Sequence, residues 1–293
     1  MVCCDNLADN GSVAHHAVVG MAGAWDEDLA GWIDANISFV STSVDRITPR
    51  TTDADIAAVE AGCGYRDTSP VVAEPFANWV LSGDFPAGRP RWEDAGAVFV
   101  ADIEPFENRK LWLLNGAHSL LAYAGQLRGH ATVAEALADP QCFEAVERFW
   151  DEAEANLSGP AARGADLQIP AYRAQLLDRF RNARIAHHLA QIAMDGSTKL
   201  RMRAVPVLQA ERAAGRSGAA AALMIAAWID YAGAGAAIQD PLAAEVAAAN
   251  GLAGTPRVKA LLELVDPGLA GDAAVVSLVE GLTGSFAVPE DAR

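Results

Sequence analysis

From Pro105 to the end of the chain, every segment with a hydrophobic repeat follows the helical rather than the strand period, and this excludes a doubly wound sheet over that stretch. The spacing predicts helices at Pro105 to about Leu127, Val133–Leu137, Cys142–Asn156, Tyr172–Phe180, Asn182–Met194, Ser197–Ala214, Ala219–Tyr231, Leu242–Ala249, Arg257–Leu264 and Ala273–Leu282. Ahead of them the pattern is mixed. Residues 1–7 read as the end of a buried strand running into a loop, and Ser12 is placed to cap a helix over Val13–Ala24, followed by a second helix at Asp26–Asn36. Ser38–Val44 alternates as a short strand, Thr52 opens a helix to about Ala61, and Glu74–Leu81 reads as a short helix stopped by Ser82 and Gly83. Phe85-Pro-Ala-Gly-Arg-Pro90 cannot be regular structure, and Ala97–Val100 is a brief strand. No G-x-G-x-x-G follows a strand, so the dinucleotide fingerprint is missing. The expected fold is mainly α: a multi-helix domain with a few short strands and no complete Rossmann sheet.

With 293 residues, 52% of them hydrophobic, the chain can bury a large core. A net charge of -16 repels phosphate backbones and anionic lipid surfaces, so neither nucleic acid nor membrane is expected as a partner. The longest apolar run, Gly218–Ile229, is too short to span a bilayer, and its alanines suit close helix packing instead. The four cysteines, Cys3, Cys4, Cys63 and Cys142, have no metal-ligand spacing and fit reduced thiols in a cytoplasm. The N-terminus shows no signal-peptide pattern. The pairs His15-His16 and His187-His188 cannot each chelate one metal, because helix neighbours diverge by about 100°. No metal is expected.

The chemistry-bearing residues cluster at Lys110-Leu-Trp-Leu-Leu-Asn115-Gly-Ala-His118, with Glu107 one turn upstream. Taking Lys110 as zero, Glu107 falls at about 60°, His118 at about 80° and Asn115 at about 140°, so one side of the helix can carry all four. Leu111, Leu114 and Leu121 are neighbours there, and a lysine among them loses hydration, which lowers its pKa and lets it act as a base. An imidazole N–H and an amide NH2 beside it can polarise a carbonyl or hold an alkoxide. The same residues also admit a plainer reading. In it Lys110 snorkels to solvent, Asn115-Gly116 marks a helix irregularity and His118 is a satisfied interior histidine.

Several ordered segments extend the pattern: Cys4-Asp5-Asn6-Leu7 with Asn10-Gly11, Val44-Asp45-Arg46-Ile47-Thr48-Pro49, Glu74-Pro75-Phe76, the Phe85–Pro90 stretch, Lys110–His118, and Gln191-Ile-Ala-Met-Asp195-Gly-Ser-Thr-Lys199-Leu200. Together they resemble the polyol-specific long-chain dehydrogenases, the mannitol dehydrogenase and fructuronate reductase family. The resemblance implies a metal-independent oxidoreductase that uses NAD or NADP to interconvert a secondary alcohol and a ketone of an open-chain polyol or sugar acid. It also implies a helical domain like the C-terminal domain of 6-phosphogluconate-dehydrogenase-like enzymes. By resemblance Lys110 is the general base or acid, Asn115 and His118 polarise the substrate oxygen, and Glu107 passes protons outward. Asn6, Asp45 and Lys199 line the substrate pocket. Gln191 stands where some mannitol-specific members carry arginine, which places it nearer the fructuronate reductases.

Members of that family carry a nucleotide-binding domain before the Cys-Asp-Asn segment. The expectation is therefore that residues 1–12 are a remnant of that domain and residues 13–293 the helical substrate domain. The cofactor would then be held mainly by a domain absent from the chain, an N-terminal partner domain supplied separately, leaving the activity of the chain alone in doubt. Two other readings are a truncated, catalytically incompetent fragment and a helical interaction module on the same scaffold.

Overall fold

The structure is a computed structural model that describes residues 1–157, 164–183, 187–235 and 238–288. The chain divides into two units, residues 1–108 and 109–293, against a sequence expectation of a break after residue 12.

The first unit opens with an extended segment in which Val2 bridges Val40 in parallel. Helix α1, Asn10–Trp25, begins at Asp9 in a left-handed conformation (φ 47°) and has no side-chain cap. The expected Ser12 cap gives way because Asn10 is drawn inward: its amide donates to the carbonyls of Asp5 and Thr42 and its Oδ1 accepts from Thr42 N. Asn10 thereby ties the first loop to the sheet. Helix α2, Glu27–Asn36, starts on the Asp26 carboxylate, and helix α3, Asp53–Cys63, on a Thr52/Asp55 capping box.

Strand β1, Ser41–Asp45, pairs antiparallel with β2, Asn78–Ser82, which pairs in parallel with β3, Val98–Phe99. The helix expected at Glu74–Leu81 is therefore a strand. Glu74 explains the change: its N–H donates to Ile47 O, its carboxylate accepts from Ile47 N, and its own carbonyl accepts from Arg46 Nε. Anchored this way, the following residues run beside β1, and tertiary pairing overrides a short apolar run that either structure accepts. Beneath the sheet, Val40, Leu81 and Ala97 form a small core against Trp79, Phe85, Trp92 and Phe99. The irregular Phe85–Pro90 segment adds to it, since the Arg89 guanidinium lies 3.5 Å over the Phe99 ring. Helix α4, Glu104–Arg109, leads out of this unit.

In the second unit the chain continues without a break into a π-helical turn, Lys110–Gly116, and then helix α5, Ala117–Leu127. Eleven further helices follow among the described residues, namely α6 Val133–Ala138, α7 Pro140–Leu157, α8 Ile169–Phe180, α9 Leu189–Ile192, α10 Gly196–Arg203 and α11 Val205–Ala213, continuing with α12 Ala219–Gly233, α13 Ala243–Asn250, α14 Gly254–Val265, α15 Pro267–Gly271 and α16 Ala273–Leu282. Residues 117–125 of α5 are all buried, packed by α6, α7, α9 and α12. The alanine-rich run of α12 is core, as its composition predicts. Close approach is what the small residues allow: a Cβ on Gly125 would sit 2.7 Å from both Ala136 and Leu189 side-chain carbons.

Two expected helices are redrawn. Ser197–Ala214 is split into α10 and α11, with Pro206 in the first turn of the latter, because proline supplies no N–H for the preceding turn and clashes with its carbonyl. Asn182–Met194 is helical only over Leu189–Ile192, and its residues 184–186 lie outside the described residues. The backbone at 187–189 is instead bonded to 131–133, with Val133 N donating to His187 O and Leu189 N to Ala131 O. No described helix is long and apolar enough to cross a membrane.

Candidate active site

The π turn that carries Lys110 and Asn115 exists because three groups from other helices occupy it. Trp150 of α7 donates its indole N–H to Leu113 O at 2.7 Å. Phe149, its neighbour, packs so closely on Gly116 that a Cβ there would lie 2.4 Å from the ring. Arg203 of α10 donates to Asn115 O at 3.1 Å. Leu113 O accepts from Trp150 and also from Ala117 N, which shares Leu113 O with Leu114 O, so the π turn closes back into α5 at this point.

The irregularity changes the geometry of the face. Hydrogen bonds in a π turn run to the fifth residue, so each step advances about 80° instead of about 100°. Asn115 then moves from about 140° to about 40° from Lys110, and His118 to about 40° on the other side. Lys110, Asn115 and His118 thus share a narrower sector than an unbroken α-helix gives. Lys110 and Asn115 are half-buried and His118 is buried at 7% exposure.

The His118 ring packs on Phe180 and, edge-on, on His187, at centroid distances of 4.7 and 4.8 Å. Burial pushes its pKa well below the usual histidine value, helped by the neighbouring His187, Arg203, Arg179 and Lys199. The ring is therefore neutral, and among the described residues its Nε2 has no hydrogen-bond partner. The plainer reading of His118 as a satisfied interior histidine does not hold for that nitrogen. Lys199 is half-buried and donates to Ile192 O at 3.0 Å, and burial followed by the Arg203 charge lowers its pKa. It lies in the first turn of α10, where the Ser197 hydroxyl donates to Asp240. Gln191 is exposed on α9.

The remaining expected residues belong to the first unit. Asn6 is exposed in the loop after the first bridge, Asp45 is buried at the end of β1 opposite Asn78, and Glu107 accepts from Asp9 N at 3.0 Å. Sequence reasoning missed Arg203, His187 and Phe180. One signal pointed to Arg203: it is four residues after Lys199, on the same helical face. Among the described residues no three His, Cys, Asp or Glu side chains gather to hold a metal ion.

A helical unit built around α5 and a three-stranded unit ahead of it define a two-part chain, and two family profiles divide in the same way. The mannitol dehydrogenase C-terminal domain matches residues 102–282, more than half the chain, and the mannitol dehydrogenase Rossmann domain matches residues 1–94. The chain belongs to the mannitol dehydrogenase family. It is 40% identical over 269 residues to the D-mannonate oxidoreductase of Escherichia coli strain K12, covering 89% of this chain and 54% of that protein. It is 36% identical over 229 residues to a mannitol 2-dehydrogenase of Cereibacter sphaeroides, covering 78% of this chain and 47% of that protein. The ternary complex of Pseudomonas fluorescens mannitol 2-dehydrogenase with NAD and D-mannitol superposes with a TM-score of 0.80 at 33% identity, covering 97% of this chain and 59% of that one. The chain spans about half the length of the curated relatives it matches.

These matches correct the expectation that the chain holds only a remnant of the nucleotide-binding part. Residues 1–94, not 1–12, match the Rossmann domain. The missing glycine fingerprint and the misread strand β2 had hidden that region. The idea of a separately supplied N-terminal domain loses its support, as does the reading of a truncated, incompetent fragment.

Proposed function

We propose that the chain is an oxidoreductase interconverting a secondary alcohol and a ketone of an open-chain polyol or sugar acid, with Lys110 as general base in oxidation and general acid in reduction. The observation that carries this reading is the π turn, which turns an amine, an amide and a neutral imidazole with an idle nitrogen toward one sector. In oxidation the carbinol O–H gives its proton to Lys110 Nζ. The Asn115 NH2 and the N–H of the His118 ring donate to the oxygen as charge develops there. Glu107 passes the proton on toward solvent, and Asn6, Asp45, Lys199 and Gln191 contact the rest of the substrate.

A nicotinamide cofactor, NAD or NADP, supplies the acceptor for the carbinol hydrogen in such a reaction, and the Pseudomonas enzyme is described in complex with NAD. The start of α1, which follows the first extended segment, does not fit a pyrophosphate. The Cβ position of Gly11 falls 2.6 Å from Ser41 N, and the cap residue is the carboxylate Asp9. No residue is assigned to the cofactor on this ground. Between substrate classes the sugar acid is better supported. The Escherichia coli relative is named for mannonate, and Lys199, Arg203 and Arg179 gather positive charge around His118 in a chain of net charge -16.

The test is NADH formation with mannitol and mannonate by the wild type and by Lys110→Ala. The variant is expected to stay folded by circular dichroism and to lose at least about 10²-fold in oxidation rate. A variant within about twofold of wild type would refute the base assignment.

A further inference from the structure

The carbonyl of Asn115 and the hydroxyl of Ser119, one turn apart, both face α10. Arg203, the last residue of α10, reaches between them: its Nη1 donates to Asn115 O at 3.1 Å and to Ser119 Oγ at 2.9 Å. Arg203 is half-buried, its Nε is shielded from solvent, and among the described residues that Nε has no hydrogen-bond partner. Burial lowers its pKa to about 10, with Tyr123 acting the other way. A buried cation with an idle donor costs stability, and an apolar side chain of similar volume often serves a fold better. The charge and the two bonds therefore point to a role other than filling space.

The two acceptors bracket His118. Residue 115 supplies the amide, residue 118 the imidazole, and residues 115 and 119 are the ones gripped. Trp150 holds the other side of the turn through Leu113 O. We propose that Arg203 is a positioning residue: by clamping Asn115 O and Ser119 Oγ it fixes the register in which the Asn115 amide and the His118 ring aim at one substrate oxygen. This rests on the reaction proposed above.

Arg203→Lys keeps a positive charge, but its ammonium ends short of the Nη1 position and cannot serve both acceptors. Its kcat for oxidation is expected to fall about 10²-fold with KM within about threefold of wild type, since a misplaced donor affects the transition state more than substrate binding. In Arg203→Ala, added guanidinium ion is expected to restore part of the rate and ammonium none. If the alanine variant does not fold, the lysine variant carries the test. A folded lysine variant with wild-type kcat, or one with a loss confined to KM, would overturn the proposal. Should the wild type itself oxidise no polyol or sugar acid, the functional reading fails while the clamp is still read by amide hydrogen exchange. Faster exchange in Arg203→Lys confined to residues 113–120 supports it, and unchanged exchange there overturns it.

Discussion

His118 is a hydrogen-bond donor whose protonation state is set by what surrounds it. Burial, first, and then the neighbouring His187, Arg203, Arg179 and Lys199 act against the imidazolium, so its folded pKa lies below the ordinary 6.5. The unfolded chain then takes up that proton first. Its contribution to stability is complete above about pH 6.5 and declines as pH falls below that value. The expected result of a histidine NMR titration is a His118 midpoint well below the ordinary histidine value. A midpoint at or above the ordinary histidine value would mean the ring is solvated and not held neutral. The proximity of Lys110, Asn115 and His118 is legible in the sequence because it is local, within nine residues of one helical stretch. Arg203 was not, because its bonds to Asn115 and Ser119 span separations of 88 and 84 residues, which no helical period encodes.

At the scale of elements, the π turn is the feature that periodicity could not supply. An Asn115-Gly116 irregularity was visible, but the α-helical angles assigned to the face were those of an unbroken helix. The donors that reshape it come from α7 and α10. Gly116 has ordinary helical angles (φ -63°), so its role is space and not backbone freedom. Gly116→Ala would ordinarily stabilise a helix by about 1 kcal/mol. Here the new methyl would meet Phe149 Cε1 at 2.4 Å and Cζ at 2.9 Å, and overpacking of that kind costs about 1–3 kcal/mol. The clash is expected to win, with a lower Tm in thermal unfolding. A raised Tm would show that Phe149 moves aside freely and does not hold the turn. The strand β2 was misread for a related reason: its partners at β1 and the Glu74 anchor are distant in sequence. Helices with local caps, such as α2 and α3, were placed well because Asp26 and Thr52 act within their own first turn.

Over the whole molecule, charge and composition excluded more than they identified. A net charge of -16 argues against polyanionic partners but names no substrate. The Rossmann match over residues 1–94 is not legible from the glycine fingerprint, because no G-x-G-x-x-G follows a strand there. The most direct test of the central claim is NADH formation by the purified full chain, given NAD and, in parallel, mannitol and mannonate. Turnover is expected with at least one of them, faster with the sugar acid, and lost in Lys110→Ala. A folded chain that forms no NADH with either, or forms it equally well without the Lys110 amine, would contradict the assignment.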